Sequence, residues 1–143
     1  MPDPSRRKNV LLIVVDQWRA ECLSYLGHPC VRTPNIDALA ASGVCFERAY
    51  CQFPLCNPSR SSMLTGRYPS STGVLGNRDY FGAQHPDFVT LPRWFKDHGY
   101  DTLRMGKIFH EGIDDTEGWT EGGEARRYGE GAAAAAPAAA PQA

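Results

Sequence analysis

A continuous apolar segment near the N-terminus constrains the fold of this chain more than any other feature. Residues 9–15 read Asn-Val-Leu-Leu-Ile-Val-Val and contain four β-branched side chains. A strand that is buried on both faces of a parallel sheet has this pattern, whereas a half-exposed strand alternates apolar and polar side chains. Asp16 follows directly, at the carboxyl end of the predicted strand, where ligands of open α/β sheets bind.

Helix and strand signals then alternate along the chain. Thr33 as N-cap, Pro34 in the first turn and Gly43 as the stop predict a helix. Residues 44–50 alternate well enough for a short strand. The later predicted elements are a helix after Cys56, a helix from residue 90 or 91 to residue 98, and a strand over residues 100–105. This order predicts one edge of a layered α/β fold.

Composition excludes several classes of function. The chain has 143 residues, the length of one ordinary domain, with 22% charged residues and a formal net charge of -1. This balance favours neither nucleic acid nor an anionic membrane as a partner. No apolar run reaches the ~20 residues needed to span a bilayer, and residues 9–15 are too short for the core of a signal peptide. The chain as written is therefore expected in the cytoplasm.

The composition changes after about residue 115. Glu, Gly and Arg dominate to residue 130, and an Ala- and Pro-rich stretch follows. Alanine methyl groups bury too little surface to anchor a core, and prolines interrupt helices. We therefore predict a disordered N-terminus over residues 1–8, an ordered segment over residues 9–115 and a disordered tail over residues 116–143.

Cys56 differs from the other four cysteines in its sequence context. The cysteine count is odd and no CxxC pair occurs, so a closed disulfide framework is not expected. Pro58, Arg60 and the sequence Leu-Thr-Gly-Arg over residues 64–67 come after Cys56 at fixed spacing. Pro58 indicates a helix start, where backbone N–H groups and the helix dipole favour an anion. Arg60, near the start of that helix, can donate to the oxygens of the same anion.

These residues resemble the type I sulfatases of the alkaline phosphatase-like superfamily. The segment from Cys56 to Arg67 matches the nucleophile motif of that family. The segment 106–110, Gly-Lys-Ile-Phe-His, is most similar to the iduronate-2-sulfatase branch. Other blocks that resemble the family in the right order are residues 9–17, 32–39 and 99–107. The resemblance implies that residues 9–115 are the N-terminal part of a catalytic domain of the α/β class. The expected fold is a truncated, mostly parallel sheet that is flanked by helices.

The resemblance implies a sulfuric ester hydrolase. In this family the cysteine is oxidised to formylglycine by a modifying enzyme, which here would recognise the segment from Cys56 to Arg67. The aldehyde is hydrated, one hydroxyl attacks sulfur, and the second hydroxyl helps to expel sulfate and regenerates the aldehyde. The implied substrate is a sulfated small molecule or saccharide.

The resemblance also implies a set of site residues. The catalytic positions are Cys56, Arg60, Lys107 and His110. The implied metal ligands are Asp16, Gln17 and the modified Cys56. Hard oxygen ligands of this kind suit Ca²⁺, with Mg²⁺ or Mn²⁺ as other divalent candidates. The cation would polarise the sulfate and the diol.

Two features keep alternatives open. Asp16-Gln17 departs from the common family pattern of two aspartates, and Asp-Gln-Trp-Arg also occurs in related phosphonate monoester hydrolases. A phosphonate or phosphate ester hydrolase of the same superfamily is therefore the alternative enzyme class. The remaining family ligands come from later positions, and nothing after Lys107 matches them. We therefore expect the isolated chain to be inactive, and a non-catalytic truncated remnant is the second alternative.

Overall fold

The computed structural model of the chain describes residues 7–110 and 112–120. These residues form two compact units, one that ends at Ala49 and one that begins at Tyr50. None of the helices in the described ranges is long and apolar enough to cross a membrane. The α-helices are α1 (Pro34–Ser42), α2 (Cys56–Thr65), α3 (Pro69–Thr72), α4 (Phe81–Gln84) and α5 (Leu91–Asp97). Short 3-10 turns occupy Ala20–Cys22, Ser24–Leu26 and Thr116–Gly118.

The first unit is organised around α1 and a polar network at its start. The helix begins at Pro34 and gives way to Gly43, which confirms the predicted helix. Thr33 donates its hydroxyl to Asp37 Oδ1 at 2.9 Å, and Ser24 donates to Asp37 Oδ2 at 2.5 Å. These hydrogen bonds, that of Ser24 first, lower the pKa of Asp37 because they stabilise its charged form. The network joins the turn at Ser24–Leu26 to the first turn of α1.

No β-strand occurs in residues 7–110 and 112–120, so the predicted sheet is not confirmed. The three segments predicted as strands carry exposed apolar side chains instead. Leu11 is 84% exposed, Val44 is 80% exposed and Met105 is 91% exposed. A strand satisfies its backbone N–H and C=O groups only by pairing with a neighbour, and these segments do not pair with one another. Apolar periodicity alone was therefore not sufficient to produce strands.

The two longer helices of the second unit confirm their predictions. α2 ends at Thr65 and is followed by Gly66 as its C-cap. Gly66 has a left-handed φ of 66°, and its N–H donates to Ser62 O. Glycine adopts this conformation without the steric cost that a Cβ would impose. α5 follows Thr90, whose hydroxyl accepts from the Arg93 N–H at 3.4 Å. That bond satisfies one of the free N–H groups at the helix start.

The core of the second unit is small and partly aromatic. Its buried apolar side chains are Leu64, Val74, Phe81 and Phe109. The rings of Phe81 and Phe109 stack with their centroids 6.0 Å apart. Because Leu64 comes from α2, this core holds the helix that begins at Cys56 against the segment that contains Phe109.

The packed chain extends beyond residue 115, where the tail was predicted to begin. Thr102 donates its hydroxyl to Gly118 O at 2.7 Å, and Lys96 Nζ donates to Trp119 O at 2.8 Å. These bonds attach the turn Thr116–Gly118 to α5 and to residue 102, so the packed chain reaches at least Thr120. Residues 121–143, in which the rest of the predicted tail falls, and residues 1–6 lie outside the described residues.

Candidate functional site

Cys56 is the first residue of α2. The preceding Leu55 is extended, with φ of -142° and ψ of 143°, and forms no side-chain cap. The Cys56 side chain is partly exposed and its thiol is not in a disulfide. The first-turn N–H groups and the positive end of the helix dipole lie at this end of the helix. The fold therefore places the predicted nucleophile where negative charge is stabilised.

Arg60 lies one turn along the helix and is buried, with only 5% of its surface exposed. Its Nη1 atom donates to Lys107 O at 2.7 Å and to Ile108 O at 2.8 Å. Hydrogen bonds from a charged donor are stronger than neutral ones, and burial strengthens them further. Arg60 thus joins α2 to the backbone of the segment that carries Lys107. Sequence reasoning assigned Arg60 to anion binding and did not foresee this second set of contacts.

Lys107 and His110 flank a buried aromatic side chain. Phe109, between them, is 4% exposed and belongs to the core. Gly106, before Lys107, has a φ of 72°, which lets the chain turn into this segment. The segment is therefore held twice, by Phe109 in the core and by Arg60 at the carbonyls of residues 107 and 108. Cys56, Arg60, Lys107 and His110 all belong to the second unit.

Asn57 is a site neighbour that sequence reasoning missed. Its side chain is fully buried, and its Nδ2 atom donates to Gly76 O at 2.9 Å and to Asp79 O at 2.7 Å. Its Oδ1 atom accepts from the Ser61 hydroxyl at 3.2 Å. The only sequence signal was a polar residue directly after the predicted nucleophile.

Asp16 and Gln17 belong to the first unit and are exposed. Gln17 is the one non-glycine residue with a positive φ in the described part of the chain, at 59°. Such conformations are uncommon outside glycine and cluster at functional sites. Both side chains offer oxygen atoms, which hard divalent cations prefer. Within neither unit do the described residues bring three His, Cys, Asp or Glu side chains together as a metal centre would. The metal site of Asp16, Gln17 and Cys56 stays a prediction.

A cleft of about 230 Å³ in the second unit is lined by none of the predicted site residues. Among its lining residues, Arg93 forms an ion pair with Glu117, and Asp115 accepts from the Thr90 hydroxyl at 2.5 Å. These charges are satisfied within the protein, so the cleft does not compete with Cys56 as the candidate site.

The candidate site thus consists of a cysteine that opens a helix and a buried arginine that joins this helix to a lysine-bearing segment. The sulfatase family profile matches residues 8–136, and the chain belongs to the sulfatase family.

Relatives of known name agree with this assignment. The chain is 45% identical to the mouse (Mus musculus) iduronate 2-sulfatase over 105 residues, which cover 73% of this chain and 19% of that protein. It is 38% identical to an arylsulfatase of Clostridium perfringens over 102 residues, which cover 71% of this chain and 21% of that protein. The chain therefore spans about a fifth of the length of these relatives.

A solved structure shares the fold. It is that of BT4656 in complex with its substrate, D-glucosamine-2-N,6-O-disulfate. It superposes with a TM-score of 0.60 at 29% sequence identity and covers 70% of this chain and 19% of that chain. This likeness supports the α/β class, although the described residues contain no strand.

Proposed function

We propose that this chain carries the nucleophile region of a sulfuric ester hydrolase. The observation that supports it best is the arrangement of α2, in which Cys56 opens the helix and Arg60 is joined to residues 107 and 108. In a chain of the sulfatase family, this arrangement brings together the cysteine motif and the segment of the predicted lysine.

The proposed reaction begins after Cys56 has been converted to formylglycine. A modifying enzyme that recognises the segment from Cys56 to Arg67 supplies a two-electron oxidant. The Cβ atom of Cys56 loses a hydrogen and its bond to sulfur, the sulfur leaves as sulfide, and oxygen from water completes the aldehyde. Water adds to the aldehyde to give a diol, and one diol oxygen attacks the sulfur of the ester. The S–O bond to the alcohol breaks, and the alcohol leaves with a proton. The second diol hydroxyl then loses its proton, the aldehyde C=O forms again and sulfate departs.

The residues of the second unit stabilise charge in this sequence. The first-turn N–H groups of α2 and the guanidinium of Arg60 favour the anionic oxygens near residue 56. Lys107 binds a sulfate oxygen, because an ammonium is a compact positive donor. His110 lines the substrate pocket and is positioned to move a proton to or from the leaving oxygen.

A divalent cation belongs to the same proposal. Asp16 and Gln17 present a carboxylate and an amide oxygen, which are donors that suit Ca²⁺ and also Mg²⁺ or Mn²⁺. Gln17 contributes no charge, so its oxygen holds a cation less strongly than a second carboxylate would. When bound, such a cation polarises sulfate oxygens and stabilises the oxyanion of the nucleophile.

The proposed substrate is a sulfated saccharide or a sulfated small molecule. This proposal is supported by the sulfated glucosamine in the neighbouring solved structure and by the iduronate 2-sulfatase relatives. A phosphonate or phosphate ester is the second candidate, because Gln17 leaves the metal position with one negative charge fewer than two aspartates would.

The proposed fold also includes a mostly parallel sheet in which residues 9–15 form one strand. The exposed apolar side chains of this segment support it, since Leu11 and Ile13 are 84% and 69% exposed in the described chain. We further propose that turnover requires metal and substrate ligands beyond those of residues 1–143, so this chain alone hydrolyses sulfate esters poorly.

The first experiment asks whether Cys56 becomes the aldehyde. The chain and its Cys56→Ser variant are expressed in a host that contains formylglycine-generating activity, and the peptides that contain residue 56 are compared by mass spectrometry. We expect conversion of the cysteine and an unchanged serine. An unmodified thiol in that host, with a known sulfatase converted in parallel, would contradict the proposed nucleophile.

The second experiment separates the substrate classes. A protein in which residues 1–120 are joined to the remaining sulfatase sequence of a close relative is assayed with an aryl sulfate and with a matched aryl phosphonate monoester. A higher kcat/KM for the sulfate ester supports the sulfatase. A higher value for the phosphonate supports the second candidate. Turnover by the 143-residue chain equal to that of the longer protein would contradict its proposed incompleteness.

A further inference from the structure

The first turn of α2 is capped by a side chain from a distant loop, residues 75–79. A helix start leaves four N–H groups without partners inside the helix, and a polar side chain just before the helix usually accepts from one of them. Leu55 occupies that position and has no acceptor in its side chain. Asn77 takes over this role, because its Oδ1 atom accepts from the Asn57 N–H at 3.2 Å.

A second asparagine binds the same loop in the opposite direction. The buried carboxamide of Asn57 uses both of its N–H groups on the carbonyls of Gly76 and Asp79, at 2.9 and 2.7 Å. Its Oδ1 atom accepts from Ser61, one turn further along α2. Because its Nδ2 and Oδ1 atoms both have hydrogen-bond partners, the Asn57 side chain fits only one arrangement of the loop.

The loop is itself held in shape. Asp79 Oδ2 accepts from the N–H groups of Leu75 and Gly76, at 3.0 and 2.7 Å. A Cβ atom at Gly76 would lie 3.3 Å from that same oxygen, so the turn leaves little room for a side chain there. Val74, directly before the loop, is 1% exposed and belongs to the core. These contacts hold the loop, and with it Asn77, in a fixed position.

We propose that Asn57 and Asn77 are positioning residues for the nucleophile at Cys56. The reacting carbon of that residue is one bond from its Cα atom, and the peptide that follows it is held by the bond from the Asn57 N–H to Asn77. A misplacement of about 1 Å in a catalytic group can cost on the order of 100-fold in rate, so this restraint acts directly on reactivity. The inference rests on the proposed function, because it takes Cys56 as the nucleophile.

Amide hydrogen exchange in the unmodified 143-residue chain tests the restraint. The exchange rates of the Asn57 and Leu64 amides and the ¹³Cβ chemical shift of Cys56 are measured by NMR in three variants. Asn77→Ala removes the acceptor, Asn77→Asp keeps an acceptor oxygen, and Phe109→Leu weakens the core at a residue outside the loop that carries Asn77.

The expected results separate positioning from general stability. In Asn77→Ala the exchange of the Asn57 amide rises about fivefold relative to that of Leu64, as the loss of one cap predicts. The Cys56 shift moves in the same variant, and Asn77→Asp restores both quantities. In Phe109→Leu the two amides exchange faster in parallel.

Two outcomes would overturn the inference. One is a parallel rise at Asn57 and Leu64 in Asn77→Ala, which would make Asn77 a general stability residue. The other is an unchanged Cys56 shift in that variant. Because neither measurement uses the aldehyde or any turnover, a failure of Cys56 to be converted would refute the proposed function and leave this test intact.

Discussion

Replacement of Arg60 by methionine tests the contact that joins α2 to the segment of Lys107. Methionine fills most of the volume of the arginine stem and has no donor, so the carbonyls of residues 107 and 108 lose their charged partner. A hydrogen bond to a charged group contributes about 1.5–3 kcal/mol. Since the two bonds, at 2.7 and 2.8 Å, share one nitrogen, we expect a combined loss of about 3 kcal/mol. Arg60 is 5% exposed, so water does not replace the lost donor readily.

Urea unfolding followed by tryptophan fluorescence measures this loss. The chain has three tryptophans, and in a Trp18→Phe background the remaining two, Trp94 and Trp119, both lie in the second unit. With an m-value of about 1.5 kcal/mol per M, the loss lowers the urea midpoint by about 2 M. Arg60→Lys is the matched control, because it keeps the charge and loses the planar fork, and we expect a smaller loss. A free energy of unfolding for Arg60→Met within about 0.5 kcal/mol of the parent would refute the reasoning.

Three further predictions concern stability. Leu64→Ala opens a cavity in the small core and is expected to cost about 3 kcal/mol in urea unfolding, whereas a loss below about 1 kcal/mol would mean that the core collapses around it. Gly66→Ala places a Cβ at a φ of 66° and is expected to cost about 1 kcal/mol, with Gly66→Asn losing less; equal losses would exclude backbone strain as the cause. Asp37 has a lowered pKa in the folded state because of its bond to Ser24, so its contribution is present above the usual carboxyl pKa and is lost as the pH falls through the lower folded value. The protection factors of the α1 amides, taken relative to the intrinsic exchange rate at each pH, should therefore fall as the pH decreases below the usual carboxyl pKa of about 4, more in the parent than in Asp37→Asn; an equal fall in both would contradict the linkage.

Local signals in the sequence were sufficient for the three longest helices, α1, α2 and α5, whereas the short helices α3 and α4 were not predicted. Pro34 and Gly43 delimit α1, and Gly66 ends α2, because each acts on the backbone within one turn. The segment from Cys56 to Arg67 also contained enough fixed positions to indicate the family, which the sulfatase profile over residues 8–136 confirms. These properties depend on neighbours in sequence and need no knowledge of distant contacts.

Strand formation could not be decided in the same way. The apolar run 9–15 has the composition of a buried strand, yet Leu11 and Ile13 are largely exposed in the described chain. A helix closes its hydrogen bonds within its own segment, whereas a strand needs a partner from elsewhere. The apolar pattern therefore predicted a tendency to form a strand. Whether the strand forms depends on whether another segment pairs with it.

Sequence alone predicted that a helix starts just after Cys56 in a sulfatase-family chain and that Arg60 lies near the start of that helix. Only the tertiary structure decided that Arg60 holds the backbone of residues 107 and 108 and that Asn57 and Asn77 bind the first turn of α2 to a loop. The partners of Arg60 lie 47 and 48 positions away, and the loop partners of Asn57 lie 19, 20 and 22 positions away. No local pattern specifies such pairs, because they depend on how the core that includes Leu64 and Phe109 packs distant segments against each other.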